Sequence, residues 1–225
     1  YMSLSTSSPA PILFADSPAN DPVAVGGFAG WLAIELAPLI CGSKPATILT
    51  FTNNRCRPLL ALWQLFSTET QPLGPRIRHR ILVSTATRET VLFYLPQRLE
   101  ECLKDTAHYS LLAKLKYPLQ DGLESCLDFL AHRFEHRCPH EIGLILGIPL
   151  KDVLGFMGLS PLPLTCRRTW CVYGDPSESL SRMKQHSHDR RRISFLLRQG
   201  APPHSLIRGH LSPFSSVPAP ALAYS

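Results

Sequence analysis

The sequence predicts an α+β domain with a small mixed sheet of about four strands, two of them joined as a hairpin, and helices covering it. Three observations lead there. Segments rich in β-branched and aromatic residues at 46–52, 80–84, 90–95 and 169–173 are separated by segments of helical period in no regular alternation. The 85–89 link between the middle two is short and polar, so an antiparallel hairpin is the simplest connection. No glycine-rich phosphate loop follows any strand, which sets the doubly wound nucleotide folds aside.

Each element has a local cause. Residues 28–40 read as a first helix, apolar at Trp31, Ile34, Leu36 and Leu39, and ending near Pro38 and Gly42. Residues 46–52 (ATILTFT) read as a strand bounded by Pro45 and Asn53. Leu59, Leu60, Trp63 and Phe66 then recur at helical period, and 71–75 is a turn. After the hairpin, Pro96 opens a helix over 97–103, and a short helix at 109–115 halts at Tyr117-Pro118. Residues 121–134 form the clearest helix: Leu123, Cys126, Leu127, Leu130 and Phe134 share a stripe, with Glu124, Asp128 and Arg133 opposite. A last strand, TWCVY, precedes Asp175-Pro176, which opens a helix running to about Leu197. That helix is expected to dock on the sheet through Leu180, Met183, Ile193 and Leu197.

A hydrophobic fraction of 44% and a charged fraction of 18% indicate a chain with a core. The 21 prolines crowd residues 8–22 and 202–220, so 1–25 and 201–225 are expected to be disordered ends flanking one domain at 26–200. Residues 1–24 contain no Lys or Arg and resemble neither a secretory signal nor a transit peptide. No apolar run reaches the length of a membrane span. Seven scattered cysteines without a CxxC pair point to reduced thiols in a cytoplasm and to no metal site. Residues 1–166 hold 14 Lys/Arg and 14 Asp/Glu, whereas 167–210 hold nine and three, so the basic excess lies in 167–210 and is densest over 182–198, on the last helix.

The most informative stretch is 139–158, PHEIGLILGIPLKDVLGFMG. Pro139 and Pro149 each suit a helix start, and Gly158 an end. Ile142, Ile145 and Leu146 form a core stripe. Gly143 and Gly147 cost about 1 kcal/mol each relative to alanine in a helix. Either a neighbour packs closely there or a groove opens beneath His140. A zinc-protease motif is excluded because Leu144 stands where HExxH needs its second histidine. The stretch has helix-turn-helix spacing, but its second helix, LKDVLGFM, offers no Arg, Asn or Gln to read bases, so sequence-specific DNA binding is not expected.

The pieces Gly42-Ser43-Lys44-Pro45-Ala46, Pro139-His140-Glu141-Ile142-Gly143, Leu146-Gly147-Ile148-Pro149-Leu150, Asp152-Val153-Leu154-Gly155-Phe156 and Trp170-Cys171-Val172-Tyr173-Gly174-Asp175 together resemble the bacterial family of unknown function numbered 3793. The resemblance covers about residues 31–200 and implies a single cytoplasmic domain. It also implies a functional link to flavodoxin-like or iron-uptake proteins. The family pattern has Phe at Cys138, an aromatic at Ile148 and Lys at Cys171, so this chain is a divergent member.

Two function classes follow. In the first, Lys44, His140, Glu141, Trp170 and Tyr173 bind a small anionic molecule or cofactor, because a rigid Gly-Ser-Lys-Pro turn presents an ammonium and histidine adds a second donor. No particular cofactor or reaction is specified by these residues. In the alternative, the basic last helix meets an acidic protein or, without sequence preference, a nucleic acid.

Overall fold

A computed structural model describes residues 26–54, 57–135 and 137–210. Three strands form an antiparallel sheet in the order β1-β3-β2: β1 (Ala46–Thr52), β2 (Arg78–Ser84) and β3 (Arg88–Tyr94). The hairpin joins β2 to β3, as its polar link predicts. The α+β class holds. The strands, however, lie in two sheets, and all pairings are antiparallel where one mixed sheet was expected. TWCVY contributes β5 (Cys171–Tyr173), which pairs only with β4 (Leu164–Arg167). No strand was expected at β4, because Pro161 and Pro163 precede it and its side chains stay largely exposed.

The central strand explains the architecture. Along β3, Val91 and Phe93 point to one face and Leu92 and Tyr94 to the other, and all four are buried. Each face therefore needs a cover. The first face packs against α1 (Gly27–Glu35), α2 (Ala37–Ile40), α3 (Leu59–Ser67), α9 (Ser177–Arg198) and α10 (Pro203–Ile207), where Phe51 stacks on Trp63 at 4.9 Å. The second packs against α4 (Pro96–Lys104), α5 (Thr106–Lys114), α6 (Gly122–Phe134), α7 (Ile142–Ile145) and α8 (Leu150–Phe156). A small third cluster, Trp170, Val172 and Met183, joins β5 to α9.

Three local expectations change. The first helix is broken at Leu36, because Pro38 has no N–H to donate and sits in the first turn of α2 instead. The last helix docks mainly on α1 and α2, not on the three-stranded sheet; Ile193 and Leu197 enter the first core and Met183 the third. Order also continues past Gly200: α10 inserts Leu206 and Ile207 into the first core, so this part of the proline-rich end is folded. Residues 1–25 and 211–225, expected to be disordered, lie outside the described residues.

Candidate functional site

A groove of about 590 Å³ lies where four segments meet. They are the Gly42–Pro45 turn, the α4–α5 corner, the Gly147–Lys151 turn and the start of α9. Two of the motifs singled out from sequence therefore come together. Their contact is close. Gly147 has φ +75°, and a Cβ there would lie 2.7 Å from Pro45 Cδ, so the position requires glycine both for its conformation and for its neighbour. The Lys44 turn is held from behind, since the N–H groups of Ser43 and Lys44 both donate to the Pro38 carbonyl, at 2.9 and 3.2 Å. The Ser43 hydroxyl donates to Asp189, a buried carboxylate on α9 that also accepts from Gln185 at 2.9 Å.

The charges around the groove are unequal in availability. Arg182 is used internally: it donates to the Gly147 carbonyl and to Glu178, each at 2.8 Å. Arg98 stands 3.7 Å from Glu101, a loose pair. Lys151 is fixed by Asp152 at 2.7 Å, the Tyr173 carbonyl at 2.9 Å and Ser179 at 3.2 Å. Among the groove's lysines and arginines, Lys44 alone has a side chain that makes neither a hydrogen bond nor an ion pair among the described residues. Burial, reinforced by the Arg190 charge and opposed by Glu35, lowers its pKa to about 8. The same surroundings act on His186 of α9: burial first, then the charges of Lys44 and Arg190, bring its pKa down to about 4, so the imidazole is neutral at pH 7.

A cysteine and a histidine also line the groove, without forming an activated nucleophile. His108 Nδ1 lies 3.0 Å from the Cys102 carbonyl and 3.4 Å from its Sγ. A proton on Nδ1 serves the carbonyl, which leaves that nitrogen no lone pair to take the thiol proton. The thiol donates to the Leu144 carbonyl at 3.3 Å, and burial, with Asp105 adding to it, pushes Cys102 up to about 11. Asp105 itself caps α5, accepting from the N–H groups of Ala107 and His108 at 3.0 Å each.

The five residues predicted to share a site do not assemble. Lys44 lines the groove. Glu141 is buried elsewhere, 2.6 Å from Arg133 Nε and accepting from the Tyr117 hydroxyl at 3.1 Å, so it ties α7 to α6. His140 is exposed and lays its ring edge against Phe156 at 4.9 Å. No groove opens beneath it: a Cβ on Gly143 would lie 2.8 Å from Val153 Cγ2. Trp170 and Tyr173 are brought together by Asp152, a residue the sequence reading did not select. Its buried carboxylate accepts from Trp170 Nε1 at 2.8 Å, Ser179 Oγ at 2.6 Å, the Tyr173 N–H at 2.9 Å and Lys151. The one local signal was a Lys151-Asp152 pair on the otherwise apolar helix LKDVLGF. The Asp152 cluster joins α8, β5 and α9 and has no free valence.

Among the described residues, no group of three or more His, Cys, Asp or Glu side chains is placed to hold a metal ion, and no helix is long and apolar enough to cross a membrane. The six described cysteines are all free thiols. A family model described as "Protein of unknown function (DUF3793)" matches residues 32–207. Comparison with curated proteins and with solved structures returns no match.

Proposed function

We propose that this chain, which belongs to the DUF3793 family, binds a small anionic ligand in the groove, with Lys44 as its charge contact. The observation that carries the reading is the solitary ammonium. A half-buried lysine that makes no ion pair is a destabilising arrangement, which the more distant Glu35 charge offsets only in part, and an incoming phosphate or carboxylate would supply further negative charge. Arg98, only loosely paired, is the second contact available to such a ligand. His140, Glu141, Trp170 and Tyr173 are not part of this reading: the last three hold the fold, and His140 is exposed away from the groove lining. The free thiols fit a reducing, cytoplasmic setting.

The test is calorimetric titration of the purified protein with phosphorylated and carboxylated metabolites, repeated on Lys44→Met. Binding by the parent chain that weakens at least tenfold in the variant is the expected result. Equal affinities would remove Lys44 from the site.

A second reading is favoured by Arg191 and Arg192, which are exposed on α9 and make no ion pair among the described residues. In it, α9 docks an acidic partner or holds phosphates without reading sequence. Titration with duplex and single-stranded DNA at low and moderate salt decides this. Tight binding that survives moderate salt would place it ahead of the groove.

A further inference from the structure

We infer that the outward face of α9 is a binding surface for single-stranded nucleic acid, which lays its phosphates on the cations there and one base on the ring of Phe195. The inference rests on the second reading above, that α9 holds phosphates, and narrows its partner. Three observations carry it. First, Lys184, His188, Arg191, Phe195 and Arg198 recur at intervals of four and three residues, which places them on one stripe of the helix. All five are exposed, as is Arg192 beside them, and the buried Ile193 and Leu197 lie on the opposite side. Second, the side chains of Lys184, Arg191, Arg192 and Arg198 make neither a hydrogen bond nor an ion pair among the described residues. No carboxylate of α9 offsets them, since Glu178 pairs with Arg182 at 2.8 Å and Asp189 is buried. Third, Phe195 is 41% exposed, and its ring meets no other ring among the described residues.

The ring distinguishes this face from an ordinary solvated one. A helix rises about 1.5 Å per residue, so Arg191 and Arg198 stand about 6 Å and about 4.5 Å from Phe195 along the axis. A base stacked on the ring therefore has a guanidinium about one turn away on either side for its flanking phosphates. The contacts are to phosphate and to a base face, which DNA and RNA share, and none of them reads sequence. Duplex fits less well, because its bases stack on one another and offer Phe195 no free face. An acidic protein also fits less well. A stable protein interface buries about 800 Å² per partner around an apolar core, and Phe195 is the only apolar side chain of the stripe.

The test is fluorescence anisotropy of the full chain with labelled oligo-dT of about twelve nucleotides, a duplex of equal length, and labelled poly-glutamate. At moderate salt the parent chain should bind oligo-dT about fivefold or more tightly than duplex, because stacking is not screened as phosphate contacts are. Phe195→Leu keeps an apolar side chain but removes the ring. It should weaken oligo-dT binding about tenfold and leave duplex binding unchanged. Arg191→Gln combined with Arg198→Gln should flatten the dependence of log affinity on log salt by about 1.4, the share of two phosphate contacts on a single strand. Equal oligo-dT binding by Phe195→Leu and the parent, or a preference for duplex, overturns the inference while phosphate holding by α9 stands. Tighter binding of poly-glutamate than of oligo-dT overturns it in favour of an acidic protein. Failure of all three probes to bind removes the second reading as well. Circular-dichroism melts confirm that each variant is folded before it is titrated.

Discussion

Removing the Asp152 carboxylate should be among the most damaging single changes to this fold. The residue is almost fully buried and accepts four hydrogen bonds from three segments. Asp152→Ala leaves the Trp170 N–H and the Tyr173 N–H without acceptors and the Lys151 ammonium with only the Tyr173 carbonyl and Ser179. Breaking a buried ion pair from one side costs about 3–5 kcal/mol. Lys151 keeps about a quarter of its side chain in solvent, which relieves part of that, so roughly 3–4 kcal/mol is expected here. Asp152→Asn is milder. Its carbonyl oxygen still accepts from Lys151 and Tyr173, and the Ser179 hydroxyl rotates to accept from the amide, but the amide N–H₂ faces the Trp170 N–H, donor against donor. One unsatisfied buried donor costs about 1–3 kcal/mol. A stability of roughly 5–15 kcal/mol for an ordinary domain makes both losses visible in urea unfolding followed by circular dichroism. Burial by itself raises the Asp152 carboxyl, but the hydrogen bonds from Lys151, Ser179, Tyr173 and Trp170 outweigh it and hold it below its ordinary value. A depressed carboxyl contributes stability that is present above its unfolded pKa and is lost as pH falls through its folded one. The parent chain should therefore lose stability in acid along a limb that Asp152→Asn lacks. A loss under about 1 kcal/mol for Asp152→Ala would refute the keystone role, because it would mean that water replaces all four contacts.

Three further outcomes are expected. Lys44→Met should stabilise the fold at pH 7 by about 1–3 kcal/mol, because the buried ammonium is a cost there; a pKa of about 8 against 10.5 unfolded means that the native state binds fewer protons between those values, so parental stability rises over that range and the gap closes by pH 10.5 in thermal melts. In the same variant, the NMR titration of His186 should move up from about 4, since Lys44 and Arg190 oppose its protonation in addition to burial; stability linked to this histidine is complete above pH 6.5 and declines as pH falls toward 4. Gly143→Leu should cost more than about 2 kcal/mol by over-packing against the buried Val153, measured by urea unfolding, and parental stability in that variant would show that space exists there after all.

Periodicity along the chain was enough to place the hairpin, the stripe of α6, the long α9 and the presentation of Lys44 on a proline-fixed turn, because each depends on neighbours within a few residues. The family was legible in the sequence too, not through periodicity but through the resemblance of motifs that are contiguous in it. What it did not contain were the pairings between distant segments. β4 is only a strand because β5 lies beside it; its own residues are largely exposed and preceded by prolines. α10 is only five residues long and is ordered by the core into which Leu206 and Ile207 drop. Asp152 reads locally as a solvated charge on a helix, and becomes a buried hub only when Trp170, Tyr173 and Ser179 are folded against it. Glu141 was selected for chemistry and proved to be a strut, because Arg133 and Tyr117 reach it from other elements. The groove itself belongs to no segment: it exists because Gly147 lets the α7–α8 turn close on Pro45, a contact between residues far apart in the chain. Local propensity is set by a residue's own neighbours, whereas burial, charge pairing and concavity are set by whichever surface the fold brings opposite, and only the tertiary structure decides that.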